Sequence, residues 1–155
     1  MTPYDRLAQL GLTLPPPPKP VATYVPSIIE GTMLYLSGQG PVEADGRYHA
    51  GKVGQDITVK EAYAHARLTG LNLLAIMHDA LGDLARVRRV VKILGMVNAV
   101  PTFGGHPKVI NGCTDLKVGE FGGSGRHARS AVGMGSLRFG ISVEIEAIVA
   151  FDARA

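Results

Sequence analysis

From Ile141 the chain alternates with a period of two: Ile141, Val143 and Ile145 fall on one side, Ser142, Glu144 and Glu146 on the other. The pattern predicts a half-buried strand. A valine-rich run, ARVRRVVKILGMVNAV from Ala85 to Val100, predicts a second. Nearer the start, ATYVPSIIEGTMLYLSGQGPV (22–42) reads as two strands around Glu30-Gly31, and EADGRYHAG (43–51) as a further turn centred on Asp45-Gly46.

Between these runs the spacing becomes helical. Ala62, Ala66, Thr69, Leu73, Met77 and Ala80 or Leu81 form a stripe from Val59 to Leu81. Thr58 and Glu61 supply a capping box before it, and Gly82 a stop after it. A second helix is expected from about Pro107 to Leu116, entered through Phe103-Gly-Gly-His106, although Gly112 disfavours its interior. The loop GEFGGSG (119–125) then leads into a terminal hairpin whose arms carry Arg129 and Glu144. Residues 3–10 suit a short helix, and Pro15 to Pro18 with Pro20 an extended strap. The chain thus divides into an N-terminal extension (1–20) and a domain (21–155).

The order β-β-(β)-α-β-α-β-β predicts an α+β fold, a mixed β-sheet with two helices packed on one face. The other face carries too much Val, Ile and Leu to stay in water, so a closed oligomer built through it is expected.

Composition narrows the class. The 155 residues suit one core, and no apolar run approaches the roughly 18 residues of a membrane span. Asp5 and Gln9 interrupt any signal-peptide core. The single cysteine, Cys113, excludes an internal disulfide framework and points to a reducing, cytoplasmic setting. It is expected to pack in a helix. A net charge of +3 with interspersed acids is weak support for nucleic acid as a partner. Ser37 lacks the glycine of a nucleophile elbow, and no phosphate-cradling loop occurs. Histidines 49, 65, 78, 106 and 127 show no metal-ligand spacing. No cofactor or metal is therefore expected, and His65 and His78 are read as lying on the outer face of the helix. The arginines of RVRR (86–89) suit either phosphate contact or a solvated strand edge.

Several segments together resemble the YjgF/RidA (Rid) family, whose fold is chorismate-mutase-like. TYVPSIIEGTMLYLSGQGPV is similar to its first hairpin, with Tyr24 and Ser37-Gly38-Gln39 at matching places. DITVKEAYAHARLTGLNLLAIMHDALGDLARVRRVVKILGMV resembles its central helix-strand unit, and VINGCTDL its V-N-x-x-Y, placing Asn111. ARSAVGMGSLRFGISVEIEAIV resembles A-R-S-x-V-x-V-A-x-L-P-x-x-x-x-V-E-I-E-A-I, with the spacing from Arg129 to Glu144 preserved. The resemblance runs from about Pro20 to Phe151. It departs at Ala131, where many members have cysteine, at Leu137-Arg138 in place of Leu-Pro, and in a longer FGGSG loop.

The resemblance implies a homotrimer with clefts between subunits, and hydrolysis of reactive enamine/imine acids such as 2-aminoacrylate to 2-keto acids and ammonia. Arg129 would grip the carboxylate of this small substrate through its planar fork. Glu144 would orient water and move protons, and Tyr24, Gly38, Asn111 and the backbone at Ala131 would complete the cleft. By spacing alone, Arg129 and Glu144 equally suit a cross-strand ion pair worth about 0.2–1 kcal/mol. Tyr24 equally suits packing at a subunit boundary, and Gly38 a turn. Alternatives of other classes are an L-PSP-like endoribonuclease or translation inhibitor, and a non-catalytic trimer that binds small carboxylates. Sparse aromatics beside the arginines argue against RNA.

Overall fold

The alternating runs become the strands of one sheet, here in a computed structural model that describes residues 1–154. The strands are β1 (Ser27–Glu30), β2 (Met33–Gln39), β3 (Val87–Asn98), β4 (Ala128–Met134) and β5 (Val143–Phe151), ordered β1-β2-β5-β3-β4. Three helices accompany them: α1 (Pro3–Gln9), α2 (Val59–Leu81) and α3 (His106–Phe121). The fold is α+β with a mixed sheet, as the pattern implied. The expected third strand after Asp45-Gly46 is reduced to isolated bridges, among them Val42 to Tyr48, Ala50 to Ile141 and Val53 to Ala99.

Helix α2 matches its expected bounds. Thr58 accepts from the Glu61 amide at 3.1 Å while Glu61 accepts from the Thr58 amide at 3.2 Å, and Gly82 turns the chain out of the helix with φ of 79°. Its stripe packs on the buried side chains of the sheet, among them Leu34, Ile93, Val143 and Ile145.

Helix α3 runs five residues past the expected Leu116. Gly112 is what lets it lie close to α2, because a Cβ there would stand 2.1 Å from the Tyr63 carbonyl oxygen. The cost of glycine in a helix is offset by that approach. The last turn was hidden by Lys117 and Glu120, which are polar yet wholly buried. Cys113 is buried as ordinary packing.

The terminal hairpin does not form. β4 pairs with β3 in parallel, through the α3 crossover, and β5 pairs with β3 from the other side. A glycine-bearing link such as 135–142 looks alike in sequence whether it closes a hairpin or steps over an intervening strand. Here it steps over β3.

α2 and α3 cover one face of the sheet. Ile28, Tyr35, Ile148, Leu94, Met96 and Val132 lie along the other, where the registers place them beside Lys92, Glu144 and Glu146. The segment read as an extension is joined to the domain. Leu7 of α1 is 3% exposed within the core, and Tyr4 Oη pairs with His78 Nδ1 at 2.8 Å and accepts from the Leu84 amide at 2.9 Å. His78 is therefore partly covered by α1.

Candidate functional site

β4 and α3 build the first part of the site. Arg129 is the register partner of Ile93, whose side chain is fully buried beneath the helices, so its own side chain rises on the helix face. There Nη1 donates to Asn111 Oδ1 at 2.8 Å and to Thr114 Oγ1 at 3.0 Å. Both Nη1 protons are thereby used. The Nη2–Nε edge donates to nothing among the described residues, which leaves a two-proton fork of the kind that binds a carboxylate. Ala131 follows on the same face of β4, opposite Gly95.

The second part lies across the sheet. Glu144 is the partner of Met96, while Val97 and Val143 beside them point under the helices. Glu144 thus stands on the open face, where Arg138 Nη1 donates to its Oε1. Gly38 sits in a break of the β2–β5 register, and a Cβ there would lie 2.6 Å from Glu144 Oε2. Its lack of a side chain is the room that Glu144 occupies.

Five of the six expected residues therefore fall into two groups within one chain. Arg129, Asn111 and Ala131 lie on the helix side, and Glu144 and Gly38 on the open side. Tyr24 joins neither: it is 40% exposed and its hydroxyl accepts from the Val21 amide at 3.4 Å. Arg129 and Glu144 are not a cross-strand ion pair, since β3 separates their strands and their side chains leave opposite faces.

Three participants escaped the sequence reading. Thr114 and His127 stand behind Arg129, with Thr114 Oγ1 3.0 Å from His127 Nε2 and His127 Nδ1 2.7 Å from the Gly125 carbonyl. Arg138, noticed only as a departure from Leu-Pro, holds Glu144. Burial, opposed by the Gly125 hydrogen bond and aided by the charge of Arg129, lowers the His127 pKa, which favours the neutral ring.

A further pair joins the 48–53 loop to α2. His49 and His65 stack with ring centroids 4.6 Å apart, His49 on Glu43 at 2.9 Å and His65 on the buried Ser142 hydroxyl at 2.7 Å. His65 is half-buried rather than outward, and burial lowers its pKa. The stacked rings do not converge on a common point as metal ligands must. Burial also raises the Cys113 thiol pKa, which leaves it a poor nucleophile.

Comparison with known proteins sets these residues in context. Protein TCP17 of Trypanosoma cruzi is 43% identical over 144 residues, 92% of this chain and 90% of that protein. The crystal structure of Atu1372 from Agrobacterium tumefaciens, a protein described as of unknown function, is 47% identical with a TM-score of 0.90, over 97% of this chain and 94% of that one. RidA from the Antarctic bacterium Psychrobacter sp. PAMC 21119 is 25% identical with a TM-score of 0.63, over 89% of this chain and 94% of that one. No helix among the described residues is long and apolar enough to cross a membrane. The model of the family described as "YjgF/chorismate mutase-like, putative endoribonuclease" matches residues 4–137, starting ahead of the boundary expected near residue 20, and the chain belongs to that family.

Proposed function

We propose that the protein hydrolyses reactive 2-imino acids, of the kind formed from 2-aminoacrylate, to 2-keto acids and ammonia. The observation that carries this is the Arg129 fork, whose inner nitrogen is tied to α3 while its outer edge is free for a carboxylate. Likeness to RidA supports the same reading by family. In the reaction, water adds its oxygen to C2 of the imine. The nitrogen gathers protons, the C2–N bond breaks, ammonia leaves and the carbonyl remains. A carboxylate can take the proton of the attacking water and return it to nitrogen. Glu144 is assigned that role.

Arg129 and Glu144 leave opposite faces of one chain, so the reading requires that a second copy complete the site. The apolar open face supports a homotrimer that buries it and brings Glu144 of one copy toward the edge strand of the next. Ammonia release from freshly generated 2-aminoacrylate, together with sedimentation equilibrium, tests both halves. No acceleration over the uncatalysed rate, or a monomer at all concentrations, defeats the proposal.

The family's description names an endoribonuclease, which sustains a second reading. Of the arginines recruited for it, Arg86 is engaged within the domain, while Arg88 and Arg89 are exposed. Arg86 donates to the Leu81 and Asp152 carbonyls and lies over Phe151, and Arg89 donates to the Arg126 carbonyl. Arg88 and Arg89 by themselves make a short phosphate track for RNA. Salt-dependent RNA cleavage that survives Arg129→Lys would favour this second reading.

A further inference from the structure

We propose that Thr114, His127 and the Gly122–Gly125 turn form a positioning relay that aims the Arg129 guanidinium at a ligand carboxylate, an inference that rests on reading Arg129 as the carboxylate anchor. The direction of every bond in the relay can be deduced. The Gly125 carbonyl only accepts, so His127 Nδ1 carries the proton and donates to it at 2.7 Å. Nε2 of the neutral ring is then an acceptor and takes the Thr114 hydroxyl proton across 3.0 Å. With its proton committed, Thr114 Oγ1 presents only lone pairs to Arg129, and Nη1 donates to it at 3.0 Å. Asn111 Oδ1 takes the other Nη1 proton at 2.8 Å.

The far end of the relay is rigid. A Cβ on Gly125 would stand 2.1 Å from the Lys117 carbonyl oxygen, so only glycine can press this turn against α3. The turn belongs to the FGGSG loop, which is longer than the family pattern. Thr114 stands where V-N-x-x-Y has tyrosine, and a threonine hydroxyl reaches only its near neighbours. His127 bridges from that short side chain to the enlarged loop. The two departures thus make one device, which fixes the guanidinium plane before a ligand arrives. A preset donor fork loses less freedom on binding than a mobile one.

The test uses the full-length protein, with pyruvate and its uncharged methyl ester as probes. Thr114→Val keeps the shape without the hydroxyl, and Thr114→Ser restores the hydroxyl. His127→Phe keeps a ring without nitrogens, and His127→Gln retains one donor and one acceptor. Pyruvate affinity is read by calorimetry, KM and kcat by imine hydrolysis, and rotation of the Arg129 Nη groups by nitrogen-15 NMR. Thr114→Val and His127→Phe are expected to weaken pyruvate binding about tenfold, raise KM more than they lower kcat, and speed Arg129 rotation. Methyl pyruvate should be unaffected, and Thr114→Ser and His127→Gln should behave as the parent protein.

Unchanged pyruvate affinity and unchanged Arg129 rotation in Thr114→Val and His127→Phe overturn the relay alone, provided that Arg129→Lys loses pyruvate. Equal pyruvate binding by the parent protein and Arg129→Lys instead overturns the anchor reading, and the relay's purpose with it.

Discussion

Arg138 donates to the Glu144 carboxylate on the open face of the sheet, and the two side chains are only 26% and 23% exposed. A pair so placed is poorly screened by solvent, and removing one partner strands the other. Arg138→Met should lower stability, and adding Glu144→Gln should recover part of the loss. The coupling expected from the double-mutant cycle is about 1–3 kcal/mol. Denaturant midpoints of the four proteins measure it, and additive effects would show that the pair contributes nothing.

Arg129→Lys keeps a charge but has no planar fork. It should weaken 2-keto acid binding severely and carry imine hydrolysis down with it. Glu144→Gln should spare that binding and slow turnover on the order of a hundredfold. Melting temperatures measured alongside decide between function and scaffolding. Stability losses with unchanged binding and turnover would make both residues structural.

Glu120 is buried near the end of α3 with no hydrogen-bond partner for either carboxyl oxygen, and burial raises its pKa from 4.5 to about 7 despite the nearby Lys117. Between those values the folded state holds a proton that the unfolded chain has released. The contribution is therefore full below about pH 4.5 and lost as pH rises through about 7. Melting temperature should drop across that window in the parent protein. Glu120→Gln should remove that part of the decline; an identical pH profile would exclude Glu120 as its source.

Leu7 sits in the core although α1 is only seven residues long. Leu7→Ala should cost about 2–5 kcal/mol, or nearer the lower bound if α1 lifts away as a unit. Chemical denaturation of Leu7→Ala, beside a deletion of residues 1–19, separates the two. A deletion as stable as the parent protein would mean that α1 merely rests on the surface.

How far the sequence could be read depended on how local the determining forces were. α2 was legible to the residue because its capping box, stripe and terminal glycine all lie within it. The end of α3 was not, since Lys117 and Glu120 are buried by tertiary packing that no periodicity records. The supposed β4–β5 hairpin failed because strand pairing is a choice among distant partners. Asn111 beside Arg129 and Gly38 beside Glu144 came from family resemblance, and the geometry joins each pair. Thr114 and His127 were illegible, being ordinary polar residues whose significance appears only when α3 and β4 lie side by side.

The strand order β1-β2-β5-β3-β4 has a consequence for how the protein is made. Among the described residues, β5 joins the β1-β2 pair to the β3-β4 pair in the sheet, yet it follows the other four strands in sequence. Until residues 143–151 have left the ribosome, the edges of β2 and β3 that β5 covers have no partner strand, and edges of that kind invite pairing with other chains. During synthesis the nascent chain should therefore remain open to aggregation and to chaperone binding until residues 143–151 have emerged.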